Sequence, residues 1–132
     1  MSKFNYIKSD AFKRDNIREM ISLFRQYDIN VKKDVDDFGY TAVMIAVCNR
    51  SNRILKYLLK HRGKTIINQK SYEGDNALDL AMHAGFKDTA IILLENGIEV
   101  SKEQIESIHA LGWEDLLEYT KDNKEIDEYE NC

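Results

Sequence analysis

The chain has 132 residues, 43% of them hydrophobic, and carries a formal net charge of −4. This length suits one domain, and no stretch approaches the roughly 20 consecutive apolar residues of a membrane span. The N-terminus has no apolar signal segment. We therefore expect a protein that is not secreted, does not engage a membrane and works in the cytoplasm.

The two cysteines are too few and too far apart for a disulfide framework. Cys48 lies in the first half of the chain and Cys132 is its last residue. Small secreted domains use closely spaced, even sets of cysteines to stabilise a small core. We expect two reduced thiols in a reducing compartment.

An internal repeat of thirty-five residues organises the chain. Residues 39–46 read GYTAVMIA, and residues 74–81 read GDNALDLA. The same offset places the pair Leu58 and Leu59 on the pair Leu93 and Leu94. Repeats of this length indicate units that bury their apolar faces against one another.

The first unit, residues 4–35, is a divergent copy of the repeat. The offset predicts a first helix at about residues 6–13 and a second helix at about residues 16–27. The apolar side chains of the second helix that we expect to be buried are Met20, Ile21, Leu23 and Phe24.

The second unit spans residues 36–70. Its apolar pattern predicts helices over residues 41–48 and 52–61, with a turn between them. A short extended run at Ile66 and Ile67 then leads to a turn at residues 72–75, and we expect a hairpin-like finger there.

The third unit, residues 71–100, is the best preserved. We predict helices over residues 76–84 and 88–96, because Gly85 and Gly97 interrupt the helical period. The second of these helices is apolar on both faces, as an inner layer of a stack requires.

Residues 101–120 predict a terminal unit whose outer face meets water. Ser101 and Gln104 have the spacing of a capping box, which marks a helix start. Its apolar face is formed by Ile105, Ile108, Leu111, Trp113, Leu116 and Leu117. Residues 121–132 are acidic and poor in apolar side chains, and we expect them to be disordered.

These units resemble the ankyrin repeat, a β-turn followed by two helices with a Thr-Pro-Leu-His-x-Ala motif. The resemblance covers about residues 4–118 and is strongest over residues 36–101. Residues 41–46, TAVMIA, keep the Thr and Ala, and residues 76–81, NALDLA, keep the Leu and Ala. The resemblance implies an all-α solenoid of stacked helix-turn-helix units with short β-turn fingers. The Pro and His of the motif are absent, so we expect looser helix starts.

The resemblance also implies where a partner protein would bind. Ankyrin-like proteins usually contact partners through the finger tips and the exposed face of the first helices. In this chain that surface corresponds to Lys13, Arg14, Asp37, Phe38, Tyr40, Cys48, Asn49, Tyr72, Glu73, Asp75, His83 and Ala84. Aromatic side chains at turn tips are typical of binding hot spots. The alternative is that Phe38 or Tyr72 packs against the neighbouring finger.

A basic strip is the second candidate surface. Residues 50–70 contain seven Lys or Arg and no Asp or Glu, whereas residues 114–132 have a net charge of −6. The strip consists of Arg50, Arg53, Lys56, Lys60, Arg62 and Lys64. It is either a phosphate-binding surface or simply a solvated outer face. A further alternative is that the acidic tail of another copy docks there.

No catalytic or metal-binding pattern is present in the sequence. His61, His83 and His109 lie in three different units, and no nucleophile, Gly-rich phosphate loop or ligand cluster accompanies them. We therefore expect no enzyme activity, no cofactor and no metal.

The sequence favours a module that binds a protein partner and recruits or inhibits it. The many Ile, Lys and Asn residues suggest an AT-rich genome, and the module is then plausible as an inhibitor from a virus, phage or pathogen that acts in the host cytoplasm. The alternatives are a nucleic-acid binder that uses the basic strip and a self-assembling scaffold. A monomer or weak self-association is expected.

Overall fold

The computed structural model describes residues 10–61 and 63–120, which form successive pairs of helices. The helices are α1 (Asp10–Lys13), α2 (Ile17–Gln26), α3 (Ala42–Cys48), α4 (Asn52–His61), α5 (Ala77–Ala84), α6 (Lys87–Glu95) and α7 (Lys102–Ala110), with short 3-10 turns at Gly63–Thr65 and Glu114–Leu116. The described part of the chain contains no strand. The predicted all-α solenoid is confirmed, and the expected disordered tail, residues 121–132, lies outside the described residues.

Side-chain caps begin the first helix of three units. The backbone amide of Met44 donates to Thr41 Oγ1 at 3.2 Å. The capping boxes at Asn76 and Ser101 satisfy backbone amides at the starts of α5 and α7. The capping box predicted at Ser101 is therefore confirmed. The looser helix starts stay a prediction, because these caps satisfy backbone amides but do not fix φ as the missing proline would.

A residue in the left-handed conformation separates the two helices of each repeat. Asp15 and Arg50 both have φ of 52°, and Gly85 has φ of 74°. The three positions are thirty-five residues apart, so the turn geometry repeats with the sequence. Asp and Arg occupy two of them, although a glycine is the residue that this conformation favours.

The core runs through the stack between the helix pairs. Six consecutive residues of α3, from Ala42 to Val47, are buried because α3 contacts both α4 and α5. Leu93 in α6 is also fully buried. Each inner unit is thus covered by its neighbours.

The first and last units are less buried than the sequence predicted. In α2, Met20 and Phe24 are buried as expected, whereas Ile21 and Leu23 are only half-buried. In the last unit, Leu111 is 42% exposed. A terminal unit has a neighbour on one side only, so part of its apolar face remains open.

Candidate functional site

Two tight turns form the fingers that precede α3 and α5. In the first finger, Asp36 N–H donates to Tyr40 O at 2.9 Å, and in the second, Ser71 N–H donates to Asp75 O at 2.8 Å. The Asp36 carboxylate also accepts hydrogen bonds of 2.8 Å from the amides of Phe38 and Tyr40. This carboxylate fixes the tip that presents Phe38.

The segment before the second finger differs from its prediction. Ile66 and Ile67 lie in a turn that follows the 3-10 helix Gly63–Thr65, and both are buried. They were expected to be extended. The turn allows both side chains to reach the core, whereas successive side chains of a strand would point to opposite faces.

The two fingertips are in direct contact. Tyr72 N–H donates to Phe38 O at 3.0 Å. Gly39 has φ of 80°, and a Cβ at this position would lie 2.7 Å from Tyr72 Cδ1 and 2.8 Å from Tyr72 N. The Tyr72 ring therefore lies against the Gly39 backbone, as the packing alternative predicted. The residue as a whole is nevertheless 74% exposed, so Tyr72 also remains accessible to a partner.

Aromatic side chains cluster at these tips. The rings of Phe38 and Tyr40 have centroids 6.3 Å apart and are tilted by 58°. Phe38 is 59% exposed, and within the described residues the large exposed apolar side chains are Phe38, Tyr72 and Leu111. Two of these three side chains thus lie on neighbouring fingers.

A cleft of about 420 Å³ opens between the fingers and the C-terminal part of α3. It is lined by Asp36, Phe38, Tyr40, Ile45, Cys48, Asn49 and Glu73. Asn49 Nδ2 donates to Ile45 O at 2.8 Å, which holds the amide side chain at the end of α3. Five residues that the sequence predicted for partner binding therefore share one cleft: Phe38, Tyr40, Cys48, Asn49 and Glu73.

The electrostatics of the cleft are negative. Partial burial raises the pKa of the Tyr40 hydroxyl above its ordinary value, and repulsion from Cys48 once it is ionised, and from Asp75, Glu73 and Asp36, raises it further. Tyr40 therefore keeps its proton at neutral pH and can donate a hydrogen bond.

The other residues predicted for partner binding lie outside this cleft. Asp37 and His83 are exposed, and Asp75 is half-buried at the base of the second finger. Lys13 and Arg14 are exposed at the end of α1, in the first unit. Arg14 forms an ion pair with Glu19, and the hydrogen bond to Glu19 raises the pKa of the guanidinium.

The basic strip is smaller than the sequence suggested. Arg53, Lys56, Lys60 and Lys64 are exposed. The three lysines line a cleft of about 470 Å³ together with Ile92, Glu95 and Asn96. Arg62 lies outside the described residues.

Arg50 belongs to a contact between units and not to the strip. Its Nε lies 3.1 Å from Asp88 Oδ1, and its guanidinium carbon lies 5.3 Å from the centroid of the Phe86 ring. Partial burial opposes ionisation of Asp88, but hydrogen bonds from Arg50 and Asn52 outweigh this effect and lower the pKa of Asp88. The turn at Arg50 directs its side chain toward the third unit.

A larger cleft of about 500 Å³ lies between α2 and α4. Its lining includes Met20, Phe24 and Tyr57. None of the residues that the sequence predicted for binding lines it, and it lies away from the fingers.

Two residues that line the finger cleft were not predicted from the sequence. Asp36 holds the first fingertip, and Ile45 forms an apolar part of the cleft wall. An Asp at the start of a turn that ends in Phe-Gly is a recognisable turn pattern, so Asp36 was predictable. Ile45 looks like any other core residue of α3, and no sequence signal distinguishes it.

Within the described residues, no group of three or more His, Cys, Asp or Glu side chains is placed to hold a metal ion. None of the described helices has the length and apolar character of a membrane span.

Comparisons with known proteins agree with the geometry. A family model described as ankyrin repeats matches residues 9–104 in three copies. The mouse (Mus musculus) B-cell lymphoma 3 protein homolog is 32% identical over 84 residues, a match that covers 58% of this chain and 19% of that protein. No solved structure matches the chain significantly. Ankyrin repeats generally mediate protein–protein interaction and are not catalytic modules.

Proposed function

We propose that this chain, which belongs to the ankyrin repeat family, binds a segment of a partner protein through its two fingertips. The binding surface consists of Phe38, Tyr40 and Tyr72 with the cleft beneath them. We refer to it as the finger surface.

The observation that supports this proposal most strongly is the exposure of Phe38 and Tyr72. The two side chains are 59% and 74% exposed, although each has a large apolar ring. Exposed aromatic rings held at fixed positions offer contact area at low entropic cost. The hydrogen bonds of Asp36 and the contact between the tips hold these rings in place before any partner arrives.

Binding at this surface is also a route to regulation. A partner segment held between the fingers is unavailable to its other ligands, so binding alone inhibits or recruits the partner. We propose that the protein acts in this way in the cytoplasm, and in the host cytoplasm if it comes from a virus, phage or pathogen.

The experiment compares the wild type with Phe38→Ala/Tyr40→Ala/Tyr72→Ala in affinity purification from the source cells, read by quantitative mass spectrometry. We expect the amount of partner that co-purifies with the triple variant to fall at least tenfold, because hot-spot residues supply most of the binding free energy. Phe38→Ser/Tyr72→Ser, which leaves the half-buried Tyr40 intact, serves if the triple variant is not folded by circular dichroism. A folded variant that retains the same partners at the same level contradicts the proposal.

Nucleic-acid binding is the second candidate, and the shared cleft of Lys56, Lys60 and Lys64 favours it. Phosphate contacts by such a surface give an affinity that falls steeply with salt. We expect only weak binding, with a Kd above about 10 µM at physiological salt, because Glu95 shares the cleft and Arg50 is paired.

Fluorescence anisotropy with labelled DNA and RNA at two salt concentrations measures this affinity. Submicromolar binding at about 150 mM salt that disappears in Arg53→Glu/Lys56→Glu/Lys60→Glu would make nucleic-acid binding the preferred function.

A further inference from the structure

The two fingers carry acidic side chains and no basic ones. Residues 36–40 and 71–75 include Asp36, Asp37, Glu73 and Asp75, and neither segment contains Lys, Arg or His. An aromatic surface with this charge balance is unlike an ordinary apolar patch. The charges restrict which partner segments it accepts.

Glu73 is the acidic side chain that a bound group would meet, because it lines the cleft and is exposed, whereas Asp36 is only 2% exposed. Asp36 and Glu73 line the finger cleft together with Phe38 and Tyr40. Asp37 and Glu73 are exposed and Asp75 is half-buried.

Within the residues that the structure describes, the lining of the cleft includes no Lys or Arg. Lys70 precedes the second finger, but it lines a different cleft with Gly74 and Glu99. Lys32 and Lys33 precede the first finger and line neither cleft.

Acidic, apolar and basic side chains of a partner would interact differently with this cleft. An acidic side chain would be repelled by Glu73 and Asp36. A purely apolar side chain would remove water from the Glu73 carboxylate without replacing its hydrogen bonds. An Arg or Lys side chain places its aliphatic stem against the apolar wall and its cationic head near an aromatic face and a carboxylate.

We propose that the finger cleft recognises an arginine or lysine side chain in a basic segment of the partner protein. This inference rests on the proposed function, because it assumes that the finger surface binds a protein. Arginine fits best, since its planar guanidinium can stack on the Phe38 ring while it donates two hydrogen bonds to the Glu73 carboxylate. A volume of about 420 Å³ accommodates one such side chain with part of the neighbouring backbone.

The test begins with selection of peptides from a random library by phage display on the full chain. Selections run in parallel on the wild type and on Phe38→Ala/Tyr40→Ala/Tyr72→Ala. We expect the peptides specific to the wild type to contain Arg or Lys more often than the unselected library does.

The strongest peptide is then resynthesised with citrulline in place of its Arg, which removes the charge and keeps the shape. We expect at least a tenfold loss of affinity, measured by isothermal titration calorimetry. If Lys is the selected cation, its acetylated form is the equivalent probe.

Substitutions on the protein give a matched comparison. Glu73→Gln should lower the affinity for the selected peptide about threefold. Glu106→Gln makes an equal change of charge at an exposed position of α7 and should leave this affinity unchanged. Added salt should also weaken binding.

Two results overturn the inference, and they are distinguishable. Peptides that depend on the three aromatic residues but are not enriched in Arg or Lys, or that tolerate citrulline or acetyl-lysine, refute the cationic ligand and leave the proposed function intact. Identical selections on the wild type and the triple variant, or no selected peptides at all, refute the finger surface itself.

Discussion

Gly39 shows how one residue determines the shape of the binding surface. Its φ of 80° suits a glycine, and the close approach of Tyr72 leaves no room for a side chain. The sequence predicts the first property, because glycine ends a turn in both repeats. It does not reveal the second, because Tyr72 comes from the next repeat.

Substitutions at Gly39 and Gly74 separate the effect of a positive φ from the effect of the close contact with Tyr72. Gly74 occupies the same place in the second finger with φ of 90°, and a Cβ there would have no atom within 4 Å. We expect Gly74→Ala to lower the free energy of unfolding by about 1 to 2 kcal/mol through backbone strain alone. Gly39→Ala should cost about 1 kcal/mol more, because Tyr72 must move.

Urea denaturation of the two variants measures this difference. Tyr72 N is a backbone atom, so rotation of the ring cannot relieve the whole clash. Equal losses in the two variants would show that the fingertips are not packed together in solution.

Leu93 tests the core at the residue scale. It is fully buried in α6, where both helix faces meet neighbours. Leu93→Ala should lower the free energy of unfolding by about 2 to 5 kcal/mol, because a cavity remains. Leu111→Ala, at a position that is 42% exposed, should cost under about 1 kcal/mol.

Urea denaturation followed by circular dichroism compares the two leucine variants. A loss under about 0.5 kcal/mol for Leu93→Ala would place this residue outside the core.

At the scale of elements, polar side chains connect helices of successive units. The Asp15 carboxylate accepts hydrogen bonds from the amides of Arg53 and Ile54 at 3.0 and 2.8 Å, so the first unit caps α4. Gln104 Nε2 donates to Asn76 Oδ1 at 2.8 Å and thus joins the capping boxes of α5 and α7. These links align each helix pair with the next.

The helices themselves were predictable because their signals are local. The bounds of α4 agree with the prediction, and those of α3 and α5 agree within one residue. Apolar spacing and caps are properties of a few neighbouring residues. The connecting side chains were not predictable, because Asp15 meets residues 38 and 39 positions away, at a distance that only the stacking geometry sets.

Asn52 and Thr89 offer a test of these links. Thr89 is fully buried, and its hydroxyl donates to Asn52 Oδ1 at 2.7 Å. Asn52→Ala removes the acceptor and should cost about 1 to 3 kcal/mol. In that background Thr89→Val should cost less than it does in the wild type, because the hydroxyl no longer has its partner.

A double-mutant cycle by urea denaturation gives the coupling free energy, which we expect to be about 0.5 to 2 kcal/mol. Strict additivity of the two changes would mean that this hydrogen bond does not help to hold the second and third units together.

At the scale of the whole molecule, the repeat builds stacked helix pairs and, within the described residues, two fingers in contact with each other before α3 and α5. The thirty-five-residue period was sufficient to predict this architecture. The binding surface was only partly predictable. The repeat predicts that its aromatic residues lie on the fingers. How neighbouring units stack determines the rest: the exposure of these residues, the cleft and the pairing of Arg50 with Asp88.

The central claim is that the partner binds the finger surface and not the outer helical face. Site-specific photo-crosslinking in the source cells tests it directly, with a benzophenone amino acid placed at Tyr72 on the fingers or at Lys56 on the basic strip. Both positions are exposed, and the benzophenone side chain keeps an aromatic ring at position 72, where the finger surface requires one. We expect a specific crosslinked partner from position 72 and none from position 56. A partner crosslinked from position 56 alone would contradict the account.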